Sequence, residues 1–278
     1  MPGLKIAVCG KGGVGKTLIA GVLARLLARD GVKVLAVDCD SNPNLYSTLG
    51  VRREDFERVK PISRDFDLVE ERTGARPGSG WGAFFSLTPK VDDIPEKYSV
   101  NGPDGVKLLV VGSPPSVGTG CLCPELALIR ELIRHLVLER DETVIMDMEA
   151  GLEHFGRGVT KGVDLLVVVT ETTQKSLETV RRIARYVAEL GVKETWCVVN
   201  KVFNVDAARK AVKAVEDMGL PVKAVIPFDR YVLEADQAGV SPLDLNPRSP
   251  AIKEIGRLKK EVESLLGFLP GDTNPQRL

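Results

Sequence analysis

Residues 10–17 read Gly10-Lys11-Gly12-Gly13-Val14-Gly15-Lys16-Thr17. The spacing G-x-x-x-x-G-K-[ST] is that of a phosphate-binding loop. Its setting fits, because an apolar run at residues 6–9 leads into it and a helical pattern follows. Glycine lets the backbone curl until its N–H groups converge on phosphate oxygens, and the next helix adds the positive end of its dipole. Gly12, Gly13, Val14 and Gly15 supply that cradle. Lys16 is expected on the β- and γ-phosphates of a nucleotide, with the Thr17 hydroxyl on Mg²⁺.

Working outward, short apolar runs recur at residues 34–37, 108–111, 144–146, 165–169, 196–199 and 224–226. Runs of this length without alternation suit strands buried on both faces, as in a parallel sheet. Helical stripes separate them: Leu18, Val22, Leu23, Leu26 and Leu27; Ile129, Leu132, Ile133 and Leu136; Val180, Ile183, Ala184 and Val187. Strand and helix in repeated alternation predict an α/β fold, an open, doubly wound and mostly parallel sheet. A last stripe, Ile252, Ile255, Leu258, Val262 and Leu265, is expected to pack on that sheet rather than lie on a membrane surface. Residues 1–266 are read as one domain and 267–278 as a frayed tail. Residues 54–104 are rich in Pro, Gly and charge, with Trp81, Phe84 and Phe85 among them, and are expected to be an irregular insert.

Composition removes several functions. Lys+Arg and Asp+Glu are both 38, so no net positive field draws the chain to nucleic acid. The apolar runs are too short to span a bilayer, and the first residues resemble no secretory leader. Five cysteines, an odd number, do not suit a secreted disulfide framework. A cytoplasmic protein, binding neither membrane nor nucleic acid, is expected.

Lys11 narrows the reading. GKGGVGKT resembles the deviant Walker A group of P-loop NTPases, which includes MinD, ParA, the arsenite-pump ATPase and the nitrogenase iron protein. The resemblance implies a homodimer in which Lys11 crosses a two-fold interface to the partner's ATP. It also implies roles for two acidic stretches that follow strands. In Asp38-Cys39-Asp40, Asp40 would orient the attacking water with Asp38 near Mg²⁺. In Asp147-Met148-Glu149-Ala150-Gly151, Asp147 would hold Mg²⁺ through water and the Gly151 N–H would meet the γ-phosphate. Asn200-Lys201 resembles the group's adenine-reading asparagine, and Pro227 lies where backbone lines the base. A guanine reader would need Asn-Lys-x-Asp, whereas Val202 and Phe203 follow here.

Cys121-Leu122-Cys123-Pro124-Glu125 sets the chain apart. Pro124 suits the first position of a helix, which would place Cys123 at its N-cap, where the dipole favours a thiolate. Two thiolates leave a four-coordinate metal ion, such as Zn²⁺, half satisfied, and a two-fold axis near the pair would complete a Cys₄ site. Two unligated thiols or a local redox pair are the plainer alternatives. Cys9, Cys39 and Cys197 read as small core residues. His135 and His154 have no second ligand at metal spacing and read as structural or switch-associated.

Together with Asp147-Met148-Glu149-Ala150-Gly151-Leu152-Glu153-His154-Phe155-Gly156-Arg157-Gly158, the Cys-x-Cys pair resembles the CooC family, over residues 5 to about 266. Those ATPases assist nickel insertion into carbon monoxide dehydrogenase, with relatives acting on acetyl-CoA synthase. The resemblance implies a metallochaperone with nickel at Cys121 and Cys123, shared across a homodimer, and one of those enzymes as client. Two rivals remain at this point: a positioning ATPase of the MinD/ParA type, and an iron–sulfur cluster carrier or electron-transfer ATPase.

Overall fold

The computed structural model describes residues 3–78, 84–112, 124–148 and 160–265. In chain order the first elements are β1 (Lys5–Gly10), α1 (Lys16–Arg29), β2 (Val34–Asp38), α2 (Leu45–Leu49), α3 (Arg53–Phe56), α4 (Phe66–Thr73) and α5 (Ile94–Tyr98). Then come β3 (Val100–Asn101), β4 (Lys107–Val110), α6 (Pro124–Leu138), β5 (Thr143–Asp147), β6 (Leu165–Thr170) and α7 (Gln174–Leu190). The last are β7 (Glu194–Val202), α8 (Val205–Glu216), β8 (Val222–Pro227), α9 (Arg230–Ala238), α10 (Pro242–Leu245) and α11 (Pro250–Leu265).

Eight strands form one sheet in the order β3-β4-β2-β5-β1-β6-β7-β8. Only the two-residue edge strand β3 runs antiparallel, beside β4. β1 lies between β5 and β6, so the chain winds outward from it in both directions, which opens a crevice at the strands' carboxyl ends. The apolar runs are continuous because both faces are covered. Alternate residues of one strand enter different cores: Ala7 and Cys9 pack in one, Ile6 and Val8 in the other. The first core adds side chains of α4, α6, α7 and α8, and the second those of α1 and α11.

The three stripes between strands and the last one all face a core, except that Leu265 at the end of the last is exposed. In α1 the buried face is rotated slightly from the expected stripe. Ile19, Val22, Leu23 and Leu27 are buried, while Leu18 and Leu26 sit at the margin. The cause is that α1 packs against α2 and α11 as well as the sheet. Ile252, Ile255, Leu258 and Val262 of α11 are buried between β8 and α1, which accounts for that stripe without a membrane. Among the described residues no helix is long and apolar enough to cross a bilayer.

The described residues within 54–104 include regular elements. They carry most of α3, all of α4 and α5, strand β3 and two 3₁₀ turns, Ile62–Arg64 and Pro103–Gly105. Ile62, Leu68, Val69, Val91 and Ile94 are buried in the core that α6 shares. Asp65 caps α4 by accepting from the Leu68 N–H at 3.4 Å, and Gly74 ends it with φ of 86°. Trp81 lies outside the described residues, as does the tail from residue 267.

Candidate nucleotide site

The phosphate motif leaves β1 at the centre of the sheet and turns directly into α1. Gly10 has φ of 143°, and a Cβ there would lie 2.2 Å from the Val169 carbonyl oxygen of β6. Gly15 has φ of 96°, and a Cβ there would meet the Asn200 amide nitrogen at 2.2 Å. Neither position admits another residue without moving the loop. Lys16 opens α1 and is only 6% exposed, whereas Lys11 is exposed on the loop. Among the described residues no partner holds the Lys11 ammonium group.

Sheet register brings the two acidic stretches together. Asp38 and Asp147 end neighbouring parallel strands as direct Cα partners, and Val8 of β1 pairs with Asp147 from the other side. The Thr17 hydroxyl donates to Asp147 Oδ2 at 2.6 Å. The other oxygen, Oδ1, is buried with no hydrogen-bond partner. Burial is the main force raising the Asp147 pKa to about 7; the Thr17 bond lowers it, and the neighbouring Asp38 charge raises it further. A buried carboxylate with an unsatisfied oxygen beside a threonine hydroxyl fits a hydrated divalent cation. Mg²⁺ bound there would supply charge neutralisation for the β- and γ-phosphates. Thr17 would meet it directly and Asp147 through water. Among the described residues no group of three or more His, Cys, Asp or Glu could hold a metal on its own.

Asp38 is buried and its side chain organises the following loop. Oδ1 accepts from the Asp40 N–H at 3.1 Å and Oδ2 from the Leu45 N–H at 2.9 Å. Burial again dominates and moves its pKa to about 6. Its carbonyl oxygen accepts from the N–H groups of Val111 and Gly112, at 2.9 and 3.0 Å. Asp40 is partly exposed, accepts from the Asn42 N–H at 2.9 Å, and is free to face a ligand on its outer side. Arg64, for which no motif offered a signal, donates to the Ser41 carbonyl at 2.9 Å and so fastens this loop to the insert.

Asn200 and Lys201, at the end of β7, are occupied with the phosphate loop. The Asn200 amide donates to the Val14 carbonyl at 2.8 Å, and Asn200 is 1% exposed. Lys201 has φ of 54°, and its ammonium group donates to the Gly13 carbonyl at 2.5 Å. Beside them a cleft of about 620 Å³ is lined by Thr17 and Leu18, by Asn200, Lys201 and Phe203 from β7, and by Pro227 and Phe228 from β8. That volume suits a nucleoside.

Cys121, Cys123, Gly151 and His154 lie outside the described residues. The helix that follows them is described over Pro124–Leu138. Cys9, Cys39 and Cys197 are buried in the core, as expected. His135 is also buried, with Nδ1 2.9 Å from a Glu139 carboxylate oxygen.

Residues 5–243 match the CobQ/CobB/MinD/ParA nucleotide-binding domain family. The carbon monoxide dehydrogenase accessory protein CooC of Rhodospirillum rubrum is 45% identical over 245 residues, covering 88% of this chain and 91% of that protein. The chain is a member of the CooC family, within the MinD/ParA-type nucleotide-binding proteins. An uncharacterised ATP-binding protein of Methanocaldococcus jannaschii is also 45% identical, over 92% of this chain and 96% of its own. In fold, the chain resembles MinD of Pyrococcus horikoshii, solved with Mg-ADP. The TM-score is 0.67 at 21% identity, covering 96% of this chain and 98% of that one. Membership makes this CooC-family chain an ATPase. In it, α1 with its leading loop and the Asp38–Asp147 pair meet at the carboxyl ends of the central strands.

Proposed function

We propose that the chain is a cytoplasmic, homodimeric ATPase that assists nickel insertion into carbon monoxide dehydrogenase or acetyl-CoA synthase. ATP binding across the dimer would change its geometry and so load or release the metal. The observation that carries this reading is the 45% identity to CooC of Rhodospirillum rubrum over 88% of the chain. It is joined by the sequence Cys121-Leu122-Cys123-Pro124, whose last residue belongs to a helix. In the proposed cycle, Lys16 and the loop N–H groups hold the β- and γ-phosphates, and Lys11 of each protomer completes the other's site. Thr17 and Asp147 position Mg²⁺, Gly151 contributes an N–H, and Asp40 aligns water for in-line attack. Cys121 and Cys123 from both protomers bind the cargo ion, Ni²⁺ in function or Zn²⁺ in its place.

Metal analysis of the purified protein beside a Cys121→Ala/Cys123→Ala double variant tests the carrier role. The variant is expected to lose bound nickel or zinc and keep its ATPase activity; equal metal in both proteins would defeat the reading. Equilibrium sedimentation, with and without metal and Mg·ATP, tests the dimer, and a monomer in every condition would remove it.

A further inference from the structure

We propose that this ATPase recognises the base of its nucleotide by stacking on an aromatic pair, Phe203 backed by Phe228. The inference rests on the reading of the adjoining cleft as the nucleotide site. Phe203 directly follows β7 and Phe228 directly follows β8. The Phe228 N–H donates to the Val202 carbonyl at 2.9 Å, which zips the two strand ends together beyond the sheet. That bond sets the two rings face to face, with centroids 4.2 Å apart and planes 22° from parallel. Both rings line the cleft that Thr17 and Leu18 of α1 also line.

Phe228 is 41% exposed and Phe203 is 77% exposed, so the uncovered face of the stack belongs mainly to Phe203. A phenyl ring so exposed keeps most of its apolar area in water, and a flat aromatic ligand would relieve that. A gap of 4.2 Å leaves no room for a base between the rings. The base therefore extends the stack from outside, with Phe228 holding Phe203 in place as a positioning residue.

Several polar groups at the cleft also hold backbone in place. Asn200 donates to the Val14 carbonyl. Asp229 accepts from the Tyr231 N–H with one oxygen, at 3.0 Å, and from the Ala251 N–H with the other, at 2.9 Å. Asn44 donates to the Asn42 carbonyl and Ser47 to that of Asn44. Stacking reads the area of a ring system and is blind to its edge substituents. The pair therefore favours purines over pyrimidines and contributes equally to adenine and guanine nucleotides.

The test compares dissociation constants for ATP, GTP, CTP and inorganic tripolyphosphate, all with Mg²⁺, in the full chain and in Phe203→Leu, Phe203→Trp and Phe228→Leu. Phe203→Leu should weaken ATP and GTP by the same factor, about tenfold, and leave tripolyphosphate unchanged. Phe228→Leu should do the same to a smaller degree, and Phe203→Trp should retain purine binding. Unchanged ATP affinity in Phe203→Leu would overturn the inference, as would equal weakening of ATP and tripolyphosphate. Failure of the unaltered protein to bind either ATP or tripolyphosphate would instead overturn the nucleotide site itself.

Discussion

Replacing Asp147 by Asn should stabilise the nucleotide-free, metal-free protein at pH 8 while crippling its ATPase activity. Asp147 carries a buried carboxylate whose pKa burial raises from 3.8 to about 7. At about 1.4 kcal/mol per pH unit, keeping it ionised in the folded state costs up to about 4 kcal/mol at pH 8. The sign follows from linkage. A carboxyl with a raised folded-state pKa contributes stability fully present below its unfolded value of 3.8, and that contribution is lost as pH rises through about 7. Asparagine removes the charge, and its Oδ1 can still accept from Thr17. Its amide hydrogens then take the place of the unpartnered Oδ1, at a cost of about 1–3 kcal/mol. The net gain at pH 8 is about 1–3 kcal/mol. At pH 5 the folded wild type holds the proton while most unfolded chains have lost it, so about 1.6 kcal/mol of that cost remains; set against the amide cost, it leaves the variant about equal or slightly less stable. Asp38, raised to about 6 by burial, adds the same trend to both proteins and largely cancels. Urea denaturation with a chelator present, at pH 5 and pH 8, measures the difference. A variant destabilised equally at both pH values would refute the argument. Its turnover with Mg·ATP should fall about a hundredfold, since a group positioning charge at the transition state is gone.

Two further substitutions probe the frame around the site. Arg25 is 2% exposed and donates to Asp104 at 2.7 Å and to Asp244 at 2.6 Å, tying α1 to the turn before β4 and to α10. Arg25→Ala should cost about 1–2 kcal/mol in a denaturation midpoint experiment, because a buried side chain and its bonds to two partly exposed carboxylates are lost; an unchanged midpoint would mean that neither the packing nor the ion pairs contribute. Asn200→Ala leaves the Val14 carbonyl without its donor. Affinity for ATP and for tripolyphosphate should fall together, several-fold, whereas a loss confined to ATP would restore Asn200 as a base reader.

Much of this was legible in the residues alone. Each central strand announces itself as a continuous apolar run, since a strand covered on both faces has no polar side to show. The loop at 10–17 and the two aspartates are local signals, with residue type and spacing both fixed by the chemistry of a phosphate and its metal. The insert was harder to read. Its helix α4, Phe-Asp-Leu-Val-Glu-Glu-Arg-Thr, spans two turns and is mostly polar, so its Asp65 cap and Gly74 stop were the available signs. Strand β3 has two residues and exists because β4 offers an edge. The tasks of Asn200 and Phe203 lay beyond reach for another reason. Asn200 and Val14 stand 186 residues apart, and the two phenylalanines meet because β7 and β8 are neighbours. No periodicity encodes such meetings; topology does.

The side-by-side pairing of Asp38 with Asp147 has a consequence for how the molecule matures. The two acids are brought together by the ladder between β2 and β5, so no flexible segment has to settle before the pair exists. A slip of one rung would oppose Asp147 to Val37 and turn one whole strand inside out, which the buried alternation forbids. Placement of the two carboxylates is thus proofread by closure of the sheet, and a chain that has folded has already set the spacing between them.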